Sequence, residues 1–322
     1  MKKIKKYYDC SINSLSNKLH NNNSYGPIEN DIMRDLTKYA HLYNFERVYD
    51  YKESDIIVTN TTYPIDILEW ADKKDIALVK RMDGIYWQNE LKYKNCMLNR
   101  AALESDMVIF ISKFSKDSLK KLYGYSPLNY KVILNNVDDK VFYKRKIKNE
   151  KFTFISSATN WNRHPKRLKS IIELSKFINK DDIIKLIGYC DVDLPDNIIK
   201  LGYVDNDEQM SKLIGESDAF LSLFYRDAGS KVTCQALQCQ LPILHVSSGG
   251  LMELVNASNG IVIDDDIHIY FSDETPDLLI DDIKDGYSIF KMYYNDIVDI
   301  YNKNKKYQNT ISEYFSVFKD LC

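Results

Sequence analysis

The sequence predicts an α/β protein built from two Rossmann-like, doubly wound domains, each a parallel sheet with helices on both faces. Three observations carry this. Short strands that are apolar on both faces alternate with amphipathic helices, the pattern of a covered parallel sheet. The alternation runs twice, broken once by a charged stretch with no core residues, KRKIKNEK at 144–151. The chain has 322 residues, 44% of them hydrophobic, enough to bury two ordinary cores.

The first series opens with IENDIMRDLTKYAHLYN (28–44), whose apolar residues at 28, 32, 36, 39, 40 and 43 follow a helical period. DIIVT (55–59) is a strand, and PIDILEWADKK (64–74) a helix with proline in its first turn. IALVK (76–80) is a strand, followed by a helix near 88–104. MVIFIS (107–112) is a continuous apolar strand, FSKDSLKKLYG (114–124) a helix ending in glycine, and KVILNN (131–136) a strand. The second series starts with FTFISSA (152–158) as a strand and KRLKSIIELSKFI (166–178) as a helix. Strands IIKLIGY (183–189) and IIKLGYV (198–204) follow, then helix EQMSKLIGES (208–217) and strand AFLSLF (219–224). A helix after Gly229, strands PILHV (242–246) and GIVID (260–264), and an aromatic helical tail over about 286–319 complete the chain. The domain boundary is expected in the charged run, giving domains of 1–145 and 146–307. Two such sheets facing each other would place a ligand in the cleft beyond their strand ends.

A formal charge of −2 offers no general attraction for nucleic acid or anionic membranes. No run has the apolar length of a membrane span, and MKKIKKYYDCS lacks the apolar core of a signal peptide, so a cytoplasmic protein is expected. Six scattered cysteines without a CxxC pair read as reduced thiols. The five histidines have no metal spacing, and no metal or cofactor is expected. Asp191-Val192-Asp193 reads as a turn rather than a metal motif.

YRDAGSKVTCQALQCQLP (225–242) places an acidic residue, Asp227, just ahead of a helix start. The first amides of a helix lack intrahelical partners and its dipole is positive there, which suits a diphosphate. Gly229 lets an oxygen approach the backbone, Ser230 can cap the helix or donate to phosphate, and Lys231 adds a charge. The same residues also fit an ordinary capped helix. NWNRHPKRLKS (160–170) crowds cations at another helix start, where the dipole disfavours them; this points to an anion nearby, the alternative being a solvated helix start.

Four stretches resemble the GT-B glycosyltransferases of family 4. NNVDDKVF (135–142) is similar to the family's "NGVD…F", with Asn136 in place of glycine. SDMVIFISKFSKDSLKKLYG (105–124) resembles its strand and following helix, LVKRMDGIYW (78–87) a subgroup's "RLDGIY", and LPILHVSSGGLMELV (241–255) its "G-P-V-I…GG…E-I-V". Asn136 suits the glycine position if a left-handed backbone is needed there. The resemblance implies a retaining, metal-independent transferase moving a sugar from a nucleotide sugar, expected to be a UDP-sugar, to a glycan or other hydroxyl acceptor. It also implies a C-terminal helix, about 308–322, crossing back to the first, acceptor-holding domain, with the donor held by the second.

Residue by residue, the resemblance places Asp227 on the donor sugar and Gln235 on the ribose, where the family has two glutamates. Glutamine can accept from one ribose hydroxyl and donate to the other, or it has lost that task. Lys166 and Arg163 match the family's cations for the leaving diphosphate, with Arg167 able to replace either. Asp83 stands near the family's sugar-contacting histidine, or caps the segment that follows it; Tyr25-Gly26-Pro27 resembles the family's glycine loop, with Gly26 its one glycine. Two other functions remain open: a nucleotide-sugar epimerase of the same architecture, and a binding or scaffold protein that has lost catalysis, which Gln235 supports.

Overall fold

The computed structural model describes residues 4–10, 28–88, 91–145, 149–265, 275–303, 307 and 310–322. The chain forms two compact units, one of Met1–Asn136 with Thr310–Cys322, the other of Val137–Asn309.

The first unit holds strands β1 (Lys5–Asp9), β2 (Phe45–Val48), β3 (Ile56–Thr59), β4 (Ala77–Met82), β5 (Met107–Phe110) and β6 (Tyr130–Val132). Its helices are α1 (Ile28–Tyr39), α2 (Ile65–Lys74), α3 (Lys92–Leu103), α4 (Lys113–Tyr123) and, from the chain's end, α9 (Ile311–Leu321). The strands pair in the order β2-β1-β3-β4-β5-β6, all parallel. Period-two alternation sends Tyr7, Ile56, Val58, Val79 and Ile109 to one face, where they meet Ile32 and Leu36 of α1 and Phe315 and Phe318 of α9. Tyr8, Ile57 and Leu78 go to the other face, against Ile67 and Ala71 of α2. Helix α4 starts where Ser112 Oγ accepts from the Ser115 amide at 2.9 Å and stops at Gly124, φ 76°.

The second unit holds β7 (Phe152–Asn160), β8 (Asp182–Tyr189), β9 (Ile198–Gly202), β10 (Ala219–Ser222), β11 (Ile243–Val246) and β12 (Gly260–Ile263). Between and after them come α5 (Leu168–Ser175), α6 (Asp207–Gly215), α7 (Lys231–Gln238) and α8 (Ile280–Lys303). The order β12-β11-β10-β7-β8-β9, again all parallel, is the doubly wound dinucleotide-binding arrangement with its reversal between β7 and β10. Phe154, Leu186, Leu221 and Leu244 pack under α5 and α8, and Ile155, Ile187, Phe220 and Ile243 under α6 and α7.

Three features differ from the sequence-based expectation. β1 and β2 are additional to it, because KKYYD and FERV carry too few apolar residues to stand out. The helical tail begins at Ile280 rather than near 286 and is broken before Ile311. The junction between units falls at Val137, ahead of the charged run, because Val137 and Phe142 are buried with Ile155, Phe220 and Leu237 of the second unit.

Asn136 does not adopt a left-handed backbone. Its side chain makes the contacts instead: Nδ2 donates to Asp35 Oδ2 at 2.9 Å, and Oδ1 accepts from the Thr310 amide at 3.1 Å. With Thr310 Oγ1 donating to the Leu134 carbonyl at 2.9 Å, this ties the start of α9 into the first unit.

Candidate functional site

A doubly wound sheet opens a crevice beyond its strand ends where the strand order reverses. In the second unit that point lies between β7 and β10, so the segments that follow them, 161–167 and 223–230, form its rims. They touch: the Tyr225 amide donates to the Pro165 carbonyl at 2.9 Å. Lys166 Nζ lies 3.4 Å from Asp227 Oδ2 and 4.2 Å from the centre of the Phe224 ring. Both side chains are partly exposed, at 20% and 17%, so a ligand can reach them.

Asp227 is held on several sides. Its Oδ1 accepts from the Gly229 amide at 3.1 Å, an Asx turn that aims the chain into α7. Its backbone carbonyl accepts from the Gly250 amide at 2.7 Å. Ser248 Oγ accepts from the preceding amide, that of Arg226, at 2.7 Å. The Ser-Gly-Gly loop after β11 is therefore a third wall. Gly249 sits so close that a Cβ there would lie 2.3 Å from the Asp227 carbonyl oxygen.

Helix α7 begins at Lys231, with Ser230 at its cap position and no side-chain capping bond from it. The amides of a helix's first turn have no intrahelical carbonyl to bond. Gln235 is buried one turn further on, 6% exposed. Arg163 is exposed and opens the turn that carries Lys166: the Lys166 amide donates to the Arg163 carbonyl at 2.9 Å.

Arg167 differs in kind from Lys166. It is 4% exposed, and its guanidinium forks onto Asp265, Nη1 at 2.7 Å and Nη2 at 2.9 Å, while Nε donates to the Pro276 carbonyl at 3.0 Å. Those donors are occupied by the protein itself, so Arg167 is not a spare cation for a phosphate. Its ring partner Tyr225, 4.7 Å away, also stacks on Arg226 at 4.5 Å. Burial lowers the Arg226 guanidinium below its ordinary value, against the pull of Tyr225 and Asp265.

Asp83 belongs to the first unit. It follows β4 and pairs with the buried Arg81, whose Nη2 donates to Asn135 Oδ1 at 2.7 Å and whose Nε donates to Tyr314 Oη of α9 at 3.1 Å. Its carboxylate is 40% exposed, so it is held yet accessible. Gly26 lies outside the described residues. Among the described residues no group of three or more His, Cys, Asp or Glu side chains is arranged to hold a metal ion. No described helix is long and apolar enough to cross a membrane.

Sequence reasoning assembles Lys166, Asp227, Gly229, Ser230 and Lys231 from two short segments. It misses Asp265 and Ser248, whose partners are 98 and 22 residues away, and no local signal marks them.

Two parallel six-stranded sheets, interleaved with helices and closed by a C-terminal helix returning to the first unit, constitute the GT-B glycosyltransferase fold. Among solved structures the chain is similar to HepE of Anabaena in complex with UDP and glucose, at 15% identity over 99% of both chains with a TM-score of 0.67. It is similar to WaaG, a glycosyltransferase involved in lipopolysaccharide biosynthesis, at 12% identity over 97% of this chain and 99% of that one, TM-score 0.65. A glycosyltransferase from Rickettsia africae matches at 16% identity over 100% and 99%, TM-score 0.62. Likeness at such identities is likeness of fold. No protein-family model and no curated protein sequence matches the chain.

Proposed function

We propose that the protein is a retaining, metal-independent glycosyltransferase that takes a sugar from a UDP-sugar and passes it to the hydroxyl of a glycan or small acceptor. The observation that carries the reading is the meeting of Lys166, Asp227 and the start of α7 at the strand-order reversal of the second sheet. HepE, of the same fold, was solved with UDP and with UDP-glucose, which supports a uridine nucleotide.

The diphosphate lies against the first turn of α7, where the helix dipole and backbone donors favour an anion; Gly229, whose own amide is held by Asp227 Oδ1, leaves room for its oxygens. Lys166 turns from Asp227 to the diphosphate, Lys231 and Arg163 add positive charge, and Ser230 donates a hydroxyl. Freed from Lys166, the Asp227 carboxylate accepts from hydroxyls of the donor sugar. Gln235 reaches the ribose. In the transfer the bond between the anomeric carbon and the diphosphate oxygen breaks, and its electron pair leaves with the diphosphate. The acceptor oxygen attaches to the same face, and its proton passes to a phosphate oxygen of the leaving group. The amides and Lys166 stabilise the charge developing on that group, and such stabilisation is usually the main source of rate enhancement. The first unit holds the acceptor, with Asp83 and the Gly26 loop as the family resemblance places them.

A second reading has one observation behind it. Gln235 stands where a carboxylate would grip both ribose hydroxyls, which fits a nucleotide-sugar binding protein without turnover. Calorimetric titration with UDP, followed by an assay of UDP release from a panel of UDP-sugars and acceptors, separates the two. Binding with turnover is expected. Binding without turnover favours the second reading, and no binding of UDP removes both.

A further inference from the structure

We propose that Arg167 and Asp265 form a clamp that positions Lys166 for the diphosphate, Asp265 and Arg167 being positioning residues and Lys166 the group that touches the ligand. The proposal rests on the reading of Lys166 given above. Lys carries its charge on a flexible stem, so the ammonium is placed only as well as the backbone beneath it. That backbone is a single short turn, His164–Lys166, which ends in a left-handed Arg167 at φ 51°. The turn is closed by the Lys166 and Arg167 amides donating to the Arg163 and His164 carbonyls, and its Pro165 carbonyl takes the Tyr225 amide, so its exit towards α5 is left for the Arg167 side chain to hold.

Arg167 supplies the anchor. Its guanidinium joins Asp265, beyond β12, the Pro276 carbonyl, before α8, and the face of Tyr225, after β10. Asp265 is itself fixed: its amide donates to Ser247 Oγ at 2.9 Å, and that hydroxyl donates to the Asp265 carbonyl at 3.2 Å. Arg167 and Asp265 are 4% and 6% exposed, so the pair is shielded from salt and solvent. Burying two charges costs much of what their attraction returns, so the pair adds little to stability, and what a forked pair supplies is geometry. Nearby Lys169–Asp277 makes the contrast: its side chains are 72% and 57% exposed, and exposed ion pairs contribute little.

The test is a double-mutant cycle read by binding. UDP affinity is measured by calorimetry and uridine affinity by ligand-observed NMR, for the wild type, Lys166→Ala, Asp265→Asn and the Lys166→Ala/Asp265→Asn pair. The clamp predicts that Asp265→Asn weakens UDP roughly tenfold, the scale of one charge-assisted contact, and leaves uridine unchanged. On the Lys166→Ala background, Asp265→Asn should have no further effect on UDP. Arg167→Gly/Asp265→Asn keeps a residue suited to the left-handed backbone and leaves no unpaired buried charge, and it should reproduce the loss. Unchanged UDP affinity in either folded variant, equal losses with and without Lys166, or a parallel loss of uridine would overturn the clamp. So would failure of both clamp variants to fold, which would make the pair a stability element. A wild type that does not bind UDP, or a Lys166→Ala variant that binds it fully, strikes the functional reading instead.

Discussion

Gly249→Ala is the sharpest perturbation of the wall behind Asp227. Gly249 has φ 92° and ψ −164°, a region essentially reserved for glycine, where a side chain costs roughly 2 kcal/mol. The added methyl would also lie 2.3 Å from the Asp227 carbonyl oxygen and 2.8 Å from its amide nitrogen, and backbone cannot yield as a flexible side chain does. Relief requires moving Asp227 away and stretching the 2.7 Å bond from Gly250, worth about 1 kcal/mol. The expected cost is about 3 kcal/mol to the second unit, or roughly 6–12 °C in its melting temperature. Gly202→Ala is the control: φ is 76° but nothing lies within 4 Å of the new Cβ, so about 1 kcal/mol of backbone strain is all that is expected. Melting curves of the two variants, with UDP titrations on each, provide the assay. Gly249→Ala should be the less stable and the weaker UDP binder, and Gly202→Ala should bind normally. Equal stabilities, or normal UDP binding by Gly249→Ala, would refute the packing argument.

Two further outcomes are expected. Gln235→Glu should tighten UDP binding if this side chain meets the ribose, and an unchanged calorimetric affinity would place the ribose elsewhere. His245, buried in β11, has its pKa lowered by burial from 6.5 to about 4, against a smaller upward pull from the backbone at Val246. The folded state thus keeps the imidazole neutral while the unfolded state takes a proton near pH 6.5. Between these values the unfolded chain binds more protons, so stability is full above pH 6.5 and is lost by up to about 3 kcal/mol as pH falls to 4. Urea midpoints should show that slope flattened in His245→Leu; an unaltered slope would exclude this histidine as its source.

Much of the fold is legible in the sequence because doubly wound sheets bury strands on both faces. MVIF (107–110) and AFLS (219–222) stand out as apolar runs between helices with a 3.6 period. β1 is hidden although it lies inside the sheet, because only Tyr7 and Tyr8 of its five residues are apolar and two lysines begin it. The break between α8 and α9 is hidden too, since no proline or glycine lies between 303 and 311. Thr310 is instead fixed by Asn136, 174 residues earlier.

The site is legible where it is local. Asp227 and Gly229 are two residues apart, and their hydrogen bond follows from that spacing. Lys166 and Arg167 are adjacent and look interchangeable. Only the tertiary partner separates them, since Lys166 reaches a carboxylate at a ligand-accessible rim and Arg167 an aspartate in the interior. Charge alone cannot sort them, because burial decides which cation is left to meet a ligand.

The central claim is that Lys166 and the start of α7 hold the diphosphate of a uridine nucleotide. Its most direct test compares UDP binding by the wild type and by Lys166→Ala in one calorimetric experiment. Binding that is at least roughly tenfold weaker in the variant, with its melting temperature kept, is the predicted result. Equal affinities, or a wild type that gives no heat with UDP, would contradict it.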